Sequence, residues 1–98
     1  MSYEELKKLF QEKTVRKDWF LLNSADAVEM IKMGLNNGLR LDVVERFLRS
    51  PEGAFEPRQE YSSNQFFGLK EDEYEKKIIE FISSLTNIPD LFFEVWMS

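Results

Sequence analysis

The chain of 98 residues contains neither cysteine nor histidine. Without cysteine there are no disulfides, thiolate metal ligands or cysteine nucleophiles, and a small domain without disulfides is typical of the reducing cytoplasm. Without histidine, His- or Cys-based zinc sites, Ser-His-Asp triads and imidazole acid-base catalysis are excluded. The missing side chains point away from an enzyme, and the sequence predicts no cofactor and no metal.

Glycine and long apolar runs are also scarce. The four glycines never cluster into a phosphate-binding loop. No apolar stretch approaches the roughly 20 residues that span a bilayer. The N-terminal segment MSYEELKKLF is charged and amphipathic, unlike the basic head and apolar core of a signal peptide. We therefore expect a cytoplasmic protein without a membrane segment.

The residues that are present predict a single globular domain covering residues 1–98. Hydrophobic residues make up 43% of the chain and aromatic residues 14%, which is enough to build a core. The net charge of −5 is uneven: residues 50–98 hold ten acidic and four basic side chains, whereas residues 1–49 hold eight and nine. Such a negative region repels nucleic acid and attracts basic partners.

Two helices in the first half are predicted from capping residues and apolar spacing. Ser2 and Glu5 have the spacing of a capping box, which begins a helix at about Tyr3. A second helix over residues 25–36 is capped by one of the two polar residues before it. It stops at Gly38, because glycine accepts the left-handed conformation.

A third helix is predicted over residues 41–50. Its proposed buried face consists of Val43, Val44, Phe47 and Leu48. On the opposite face, Asp42 is expected to pair with Arg46 and Glu45 with Arg49, each acid four residues before its base.

A fourth helix is predicted over residues 72–85. Asp72 and Glu75 repeat the capping-box spacing. Apolar residues then recur at helical intervals at Tyr74, Ile78, Phe81, Ile82 and Leu85. We therefore predict a mainly α fold with four helices around an aromatic-rich core. The second choice is α+β, with a minor two-stranded element from residues 19–22 and 91–97, although the last run also fits a helical turn.

Residues 28–49, with the core sequence MGLNNGLRLDVVERFL, resemble two known helical hairpins. One is the DNA-binding helix-turn-helix, with Gly34 before the turn glycine Gly38, and Val44 and Phe47 as later core positions. The other is the dimerising hairpin of the Sin-type bacterial repressor and antirepressor pair. The first resemblance implies DNA binding. The balanced charges of the third helix disfavour it, because a recognition helix normally brings unpaired Arg or Lys to the DNA. The second implies a protein contact, and a plain core hairpin is the third reading.

A candidate partner-binding surface combines acidic and aromatic residues of the second half. Its members are Glu52, Phe55, Glu56, Glu60, Tyr61, Phe66, Phe67, Glu71, Asp72 and Glu73. Aromatic anchors inside a charged rim are typical of interfaces. Two other readings stay open: acids favoured at a helix N-terminus, and aromatics that cover the core.

The function predicted from these features is binding. We expect a small acidic protein, not an enzyme, that inhibits or neutralises another, basic protein. Bacterial toxin-immunity proteins and phage-encoded inhibitors are similar in general physical character, being small, acidic and free of catalytic side chains. The alternative is a regulatory protein whose hairpin of residues 28–49 dimerises or sequesters a transcription factor. Nucleic acid is not an expected partner, and monomer and homodimer are both compatible with the sequence.

Overall fold

The computed structural model describes residues 1–58, 60 and 63–98. It is an α+β fold in which helices pack against one face of an antiparallel sheet with the strand order β2-β1-β3. In chain order the elements are α1 (Tyr3–Leu9), α2 (Ser24–Asn36), β1 (Leu41–Arg49), β2 (Phe55–Pro57), a 3-10 turn (Ser63–Phe66), α3 (Glu71–Ser83) and β3 (Leu91–Met97). The predicted four-helix architecture is therefore wrong.

The first two helices begin and end where their local signals lie. The Ser2 hydroxyl accepts a hydrogen bond from the Glu5 amide and the Glu5 carboxylate accepts one from the Ser2 amide, so the predicted capping box is confirmed. The Asn23 side chain caps α2 by accepting from the Asp26 amide at 2.8 Å. Beyond the end of α2, Gly38 has a φ of +85°, as expected of a glycine after a helix.

The last helix exists, but its predicted cap is wrong. The residue before α3 is Lys70, and its side chain makes no capping hydrogen bond. Asp72 lies inside the helix and accepts from the neighbouring Glu73 amide. The Glu75 carboxylate instead accepts from the Leu41 amide, with 3.5 Å between the two heavy atoms.

The predicted third helix is the central strand of the sheet. Residues 41–49 form β1, which pairs with β3 along its length and with β2 at its C-terminal end. A bulge between Leu41 and Val43 places Leu41 on the same face as Val44, a spacing that imitates a helix. The helical hairpin of residues 28–49 does not exist. The two resemblances that rested on it, and the alternative of a dimerising helical hairpin, lose their structural basis.

The ion pairs predicted for that helix do not form either. Residues four apart in a strand lie roughly 13 Å from each other. Asp42 instead lies 3.6 Å from the Arg40 guanidinium. Arg49 pairs with Asp90 at 2.8 Å, at the turn that leads into β3.

The core lies between the helices and one face of the sheet. Leu6, Met30 and Ile31 from the first two helices meet Phe93 and Val95 of β3, all fully buried. We call this side of the sheet the helical face. The side chain of one charged residue, Arg46, lies on it: 1% exposed, it donates to the Arg58 carbonyl, and its guanidinium carbon lies 5.8 Å from the Phe93 ring centroid.

The edge of β1 that β2 leaves unpaired is closed by other groups. The Tyr74 hydroxyl donates to the Asp42 carbonyl at 2.9 Å. The Val44 amide donates to the buried Ser63 hydroxyl at 2.9 Å. The edge strand β2 is only three residues long and ends in Pro57. Short edges and prolines hinder the addition of another strand.

The outer edge of β3 is closed in the same way. Leu22 exchanges two backbone hydrogen bonds with Phe93, which makes the one isolated bridge seen among the described residues. The Tyr3 hydroxyl donates to the Val95 carbonyl. Segment 19–22 thus lies beside β3, although it contributes a single bridge and not a strand.

Candidate protein-binding surface

The acidic residues of the predicted surface follow one edge of the sheet. We call this group, which consists of Glu52, Glu56, Glu60, Glu71, Asp72 and Glu73, the acidic edge. All six side chains are exposed. Between residues 52 and 75 the chain holds seven carboxylates and only two cations, Arg58 and Lys70.

Contacts with β1 and with Arg40 show where members of the acidic edge lie along the sheet. Glu56 lies opposite Leu48, and the Arg58 amide donates to the Arg46 carbonyl. At the other end of the strand, Glu71 lies 4.0 Å from Arg40. Glu56 therefore lies beside the C-terminal end of β1 and Glu71 lies near its N-terminal end, and the strand between them has nine residues and a length of roughly 30 Å. The result is a long acidic strip and not a compact cluster.

The predicted aromatic anchors do not come together. Phe66 packs edge-on against Phe81, with 5.5 Å between the ring centroids. Phe67 is 56% exposed and lies 5.8 Å from the Tyr74 ring. Phe55 lies on the opposite face of the sheet from the helices. The remaining predicted anchor, Tyr61, lies outside the described residues.

A shallow cleft of about 340 Å³ opens at the N-terminal end of β1. Its lining consists of Arg40, Asp42, Phe67, Gly68, Leu69, Glu71 and Tyr74. Arg40 lies between the Asp42 and Glu71 carboxylates, so the cation and the acids compensate each other. Burial raises the pKa of the Tyr74 phenol, which keeps it a neutral hydrogen-bond donor. The cleft therefore combines the apolar side chains of Phe67 and Leu69 with charges that are paired.

The other face of the sheet carries a second cluster of aromatic residues. We call it the open face, because the core cluster lies on the other side of the sheet. Tyr3 of α1 reaches its border, with 6.3 Å between the ring centroids of Tyr3 and Trp96. Strand pairing arranges it as successive cross-strand pairs: Val43 with Trp96, Glu45 with Glu94, and Phe47 with Phe92. From β2, Phe55 and Pro57 extend the same face, opposite Arg49 and Phe47.

Trp19 covers one end of the open face. Its ring packs edge-on against Phe47 and Phe55, with centroid distances of 4.6 Å and 5.8 Å. Its indole N–H donates to the Glu94 carboxylate at 3.1 Å. At the other end Trp96 is 46% exposed. The open face is therefore partly covered by aromatic rings and partly accessible.

The centre of the open face is negatively charged. Glu45 and Glu94 occupy directly opposite positions on β1 and β3. Side chains at such positions have Cβ atoms about 5 Å apart, and like charges there repel. Across residues 1–58, 60 and 63–98, no ion pair to Glu45 or Glu94 is found.

The cations that border the open face already have partners. Arg49 lies over the Phe92 ring at 4.9 Å and pairs with Asp90. Arg16 lies 5.7 Å from the Phe55 ring and binds Asp18 through two hydrogen bonds, which lowers the pKa of that carboxyl. The border is therefore charge-balanced, whereas the aromatic centre keeps an uncompensated negative charge.

Comparison of the chain with protein-family models, with curated proteins and with solved structures finds no match. Among the described residues, no group of three or more acidic side chains is arranged to hold a metal ion. Within the same residues, each helix is too short or too polar to cross a bilayer.

Sequence reasoning missed the open face. The sequence predicts Glu45 on the surface of a helix, whereas it lies at the centre of this face. The second-choice prediction places Trp19 in a two-stranded element and not over this face. The available signal was the β-branched and aromatic content of residues 43–47, which favours a strand. The pairing of Glu45 with Glu94 had no local signal, because it depends on strand register.

Proposed function

We propose that this protein binds and neutralises a basic protein by covering part of its surface, without catalysing a reaction. The observation that carries this proposal is the acidic edge, whose six carboxylates are exposed. Arg58 lies 3.6 Å from Glu56 and Arg40 lies 4.0 Å from Glu71, whereas the other four acids make no ion pair with the described residues. A field of one sign attracts an oppositely charged partner and accelerates encounter. The chain also lacks the cysteine and histidine on which many catalytic sites depend.

The biological role that fits this proposal is that of a toxin-immunity protein or a phage-encoded inhibitor. Both must meet their target quickly and occupy its surface, and neither needs chemistry of its own. We place this activity in the cytoplasm, where a domain without disulfides is ordinary. Inhibition by occlusion needs a large contact, and the acidic edge together with the open face supplies a polar and an apolar part.

The test is a charge reversal along the acidic edge. The tagged protein is used to capture partners from an extract of its source organism at about 50 mM salt, and the captured protein is purified and its affinity measured. We expect a basic partner whose binding weakens about tenfold or more in the triple variant Glu56→Lys, Glu60→Lys, Glu73→Lys. The partner's own activity is assayed with and without the protein.

A matched control carries the same change of net charge elsewhere. Glu4, Glu12 and Glu29 are exposed residues of the N-terminal half, and their reversal to lysine should weaken binding far less. If the edge variant binds as tightly as the wild type at low salt, the proposal is wrong. Equal losses in both triple variants would also contradict it, since they would reflect net charge alone.

A further inference from the structure

The open face has the composition of a binding site that folding by itself does not explain. The partly buried Val43 and Phe47 and the exposed Trp96 lie around two acidic side chains. In a sheet that faces only water, a pair of opposed carboxylates is unfavourable. Aromatic residues inside a charge-balanced border are typical of protein interfaces.

From this we infer that the open face docks a segment of a basic protein that places an arginine or lysine side chain over Glu45 and Glu94. This inference rests on the proposed function and names the surface that anchors the partner. A cation placed there meets two carboxylates and adjacent aromatic rings at once. The indole N–H of Trp19 holds the Glu94 carboxylate in place before binding, which reduces the ordering needed when the partner arrives.

The charges select this occupant over others. A second copy of the chain would bring two more carboxylates against the first two, so self-association across this face is repelled. Nucleic acids and anionic lipid surfaces are repelled for the same reason. A basic protein complements the face in both charge and apolar character.

The edges of the sheet disfavour binding by strand addition, since the edge strand β2 is three residues long and ends in Pro57. Ser63 and Tyr74 close the free edge of β1, while Tyr3 and Leu22 close the outer edge of β3. A partner therefore contacts side chains on the face rather than backbone groups at an edge. The specificity then depends on the side chains of the open face.

The test uses a defined probe and the two tryptophans as reporters. The tripeptide acetyl-Leu-Arg-Leu-amide is titrated into the isotope-labelled full chain, and the indole N–H signals of Trp19 and Trp96 are followed by NMR. We expect both signals to shift and to saturate at millimolar concentration. The same peptide with citrulline, the neutral isostere of arginine, should bind about fivefold or more weakly.

Variants test whether Glu45 and Glu94 are responsible for binding the arginine peptide. Glu45→Gln should weaken the arginine peptide about fivefold, whereas Glu29→Gln on the exposed surface of α2 should leave it unchanged. The folded state of each variant is checked by the dispersion of its amide spectrum. The lysine version of the peptide is expected to bind between the arginine and citrulline versions.

Four results would overturn the inference. They are unshifted tryptophan signals, equal binding of the citrulline peptide, an unaffected Glu45→Gln variant, or signals that shift with protein concentration alone, which would mean that a second copy occupies the face. The titration is independent of the acidic edge. A failure here with successful capture of a basic partner would reject the open face as anchor and leave the proposed function standing.

Discussion

Glu45 and Glu94 face each other across the two longest strands, and the cations that border them are paired with other acids. Opposed like charges lower the stability of a sheet. Glu94 has partial compensation in the hydrogen bond from Trp19, whereas no ion pair or hydrogen bond to the Glu45 side chain occurs within the described part of the chain. Repulsion between the two carboxylates therefore lowers the stability of the fold, whereas their charge attracts the cation of a partner.

Neutralising Glu45 should therefore stabilise the protein. We expect Glu45→Gln to raise the free energy of unfolding by about 0.5 kcal/mol, because it removes the repulsion and keeps the shape of the side chain. The measurement is urea denaturation at low and at high salt. The gain should shrink as salt screens the charges. Glu12→Gln, on the exposed connector after α1, is the matched control and should change little. A loss of stability in Glu45→Gln would contradict this account.

The buried Ser63 should contribute more to the free energy of unfolding than Ser50, which accepts the same kind of hydrogen bond in an exposed turn. Ser63 is 1% exposed and accepts from the Val44 amide. In Ser63→Ala that amide loses its partner inside the protein, so we expect a loss of about 1–3 kcal/mol in the free energy of unfolding. Ser50 accepts from the Ala54 amide in an exposed turn, and Ser50→Ala should cost less than about 0.5 kcal/mol.

Hydrogen exchange separates the Ser63 effect from a general loss of stability. The Val44 amide should exchange faster in Ser63→Ala even under conditions in which the global stability is matched to that of the wild type. Unchanged protection of that amide would show that another group takes over the hydrogen bond.

The close approach of α2 to β3 depends on Gly34. A Cβ atom at this position would lie 2.6 Å from the Met97 sulfur and 3.0 Å from a Leu6 methyl group. We expect Gly34→Ala to lower the free energy of unfolding by about 1 kcal/mol, since the overpacking outweighs the higher helix propensity of alanine.

A double-mutant cycle tests the cause. In a Met97→Ala background the two closest contacts are removed and the Leu6 methyl group at 3.0 Å remains, so Gly34→Ala should cost about 1 kcal/mol less than in the wild type. An equal cost in both backgrounds would contradict the steric explanation. Thermal and urea denaturation give the four free energies that the cycle needs.

Alkaline conditions should destabilise the fold through Tyr3. Burial, with a further contribution from the Glu94 charge, raises the pKa of Tyr3 to about 12. The phenol of an unfolded chain titrates near 10. Below that pH both states keep the proton. Between the two values the unfolded chain releases a proton that the folded protein retains, so stability falls as the pH rises.

The measurement is the free energy of unfolding between about pH 8 and pH 11.5. We expect Tyr3→Phe to be less stable than the wild type at pH 8, because it lacks the hydrogen bond to Val95, and to lose less stability on the way to high pH. Parallel pH profiles for the two proteins would show that Tyr3 does not carry the effect. Tyr74, whose pKa is also raised, accounts for a residual slope.

The helices could be predicted because their signals are local. The capping box of Ser2 and Glu5, the Asn23 cap and the apolar period of α3 each lie within a few turns of the chain. Even there, α3 begins one residue before the predicted start, and the predicted capping role of Glu75 is wrong. A carboxylate such as Glu75 binds whichever amide the tertiary structure brings near it.

The central strand was not predictable from the same signals. A strand with one face in water alternates polar and apolar residues, but β1 has apolar residues on both faces. Its bulge then shifts the alternation by one residue, so that Leu41, Val44 and Leu48 recur at helical spacing. Only pairing with β3, which is distant in sequence, decides that residues 41–49 form a strand.

The sequence by itself determined what this protein lacks, where its acids concentrate and where its first two helices begin. Those properties depend on composition and on neighbouring residues. Only the tertiary structure decided that Glu45 lies opposite Glu94 and that Trp19 covers the aromatic residues beside them. Such contacts depend on strand register and on loop paths, which are fixed by packing between distant segments and leave no local pattern in the chain.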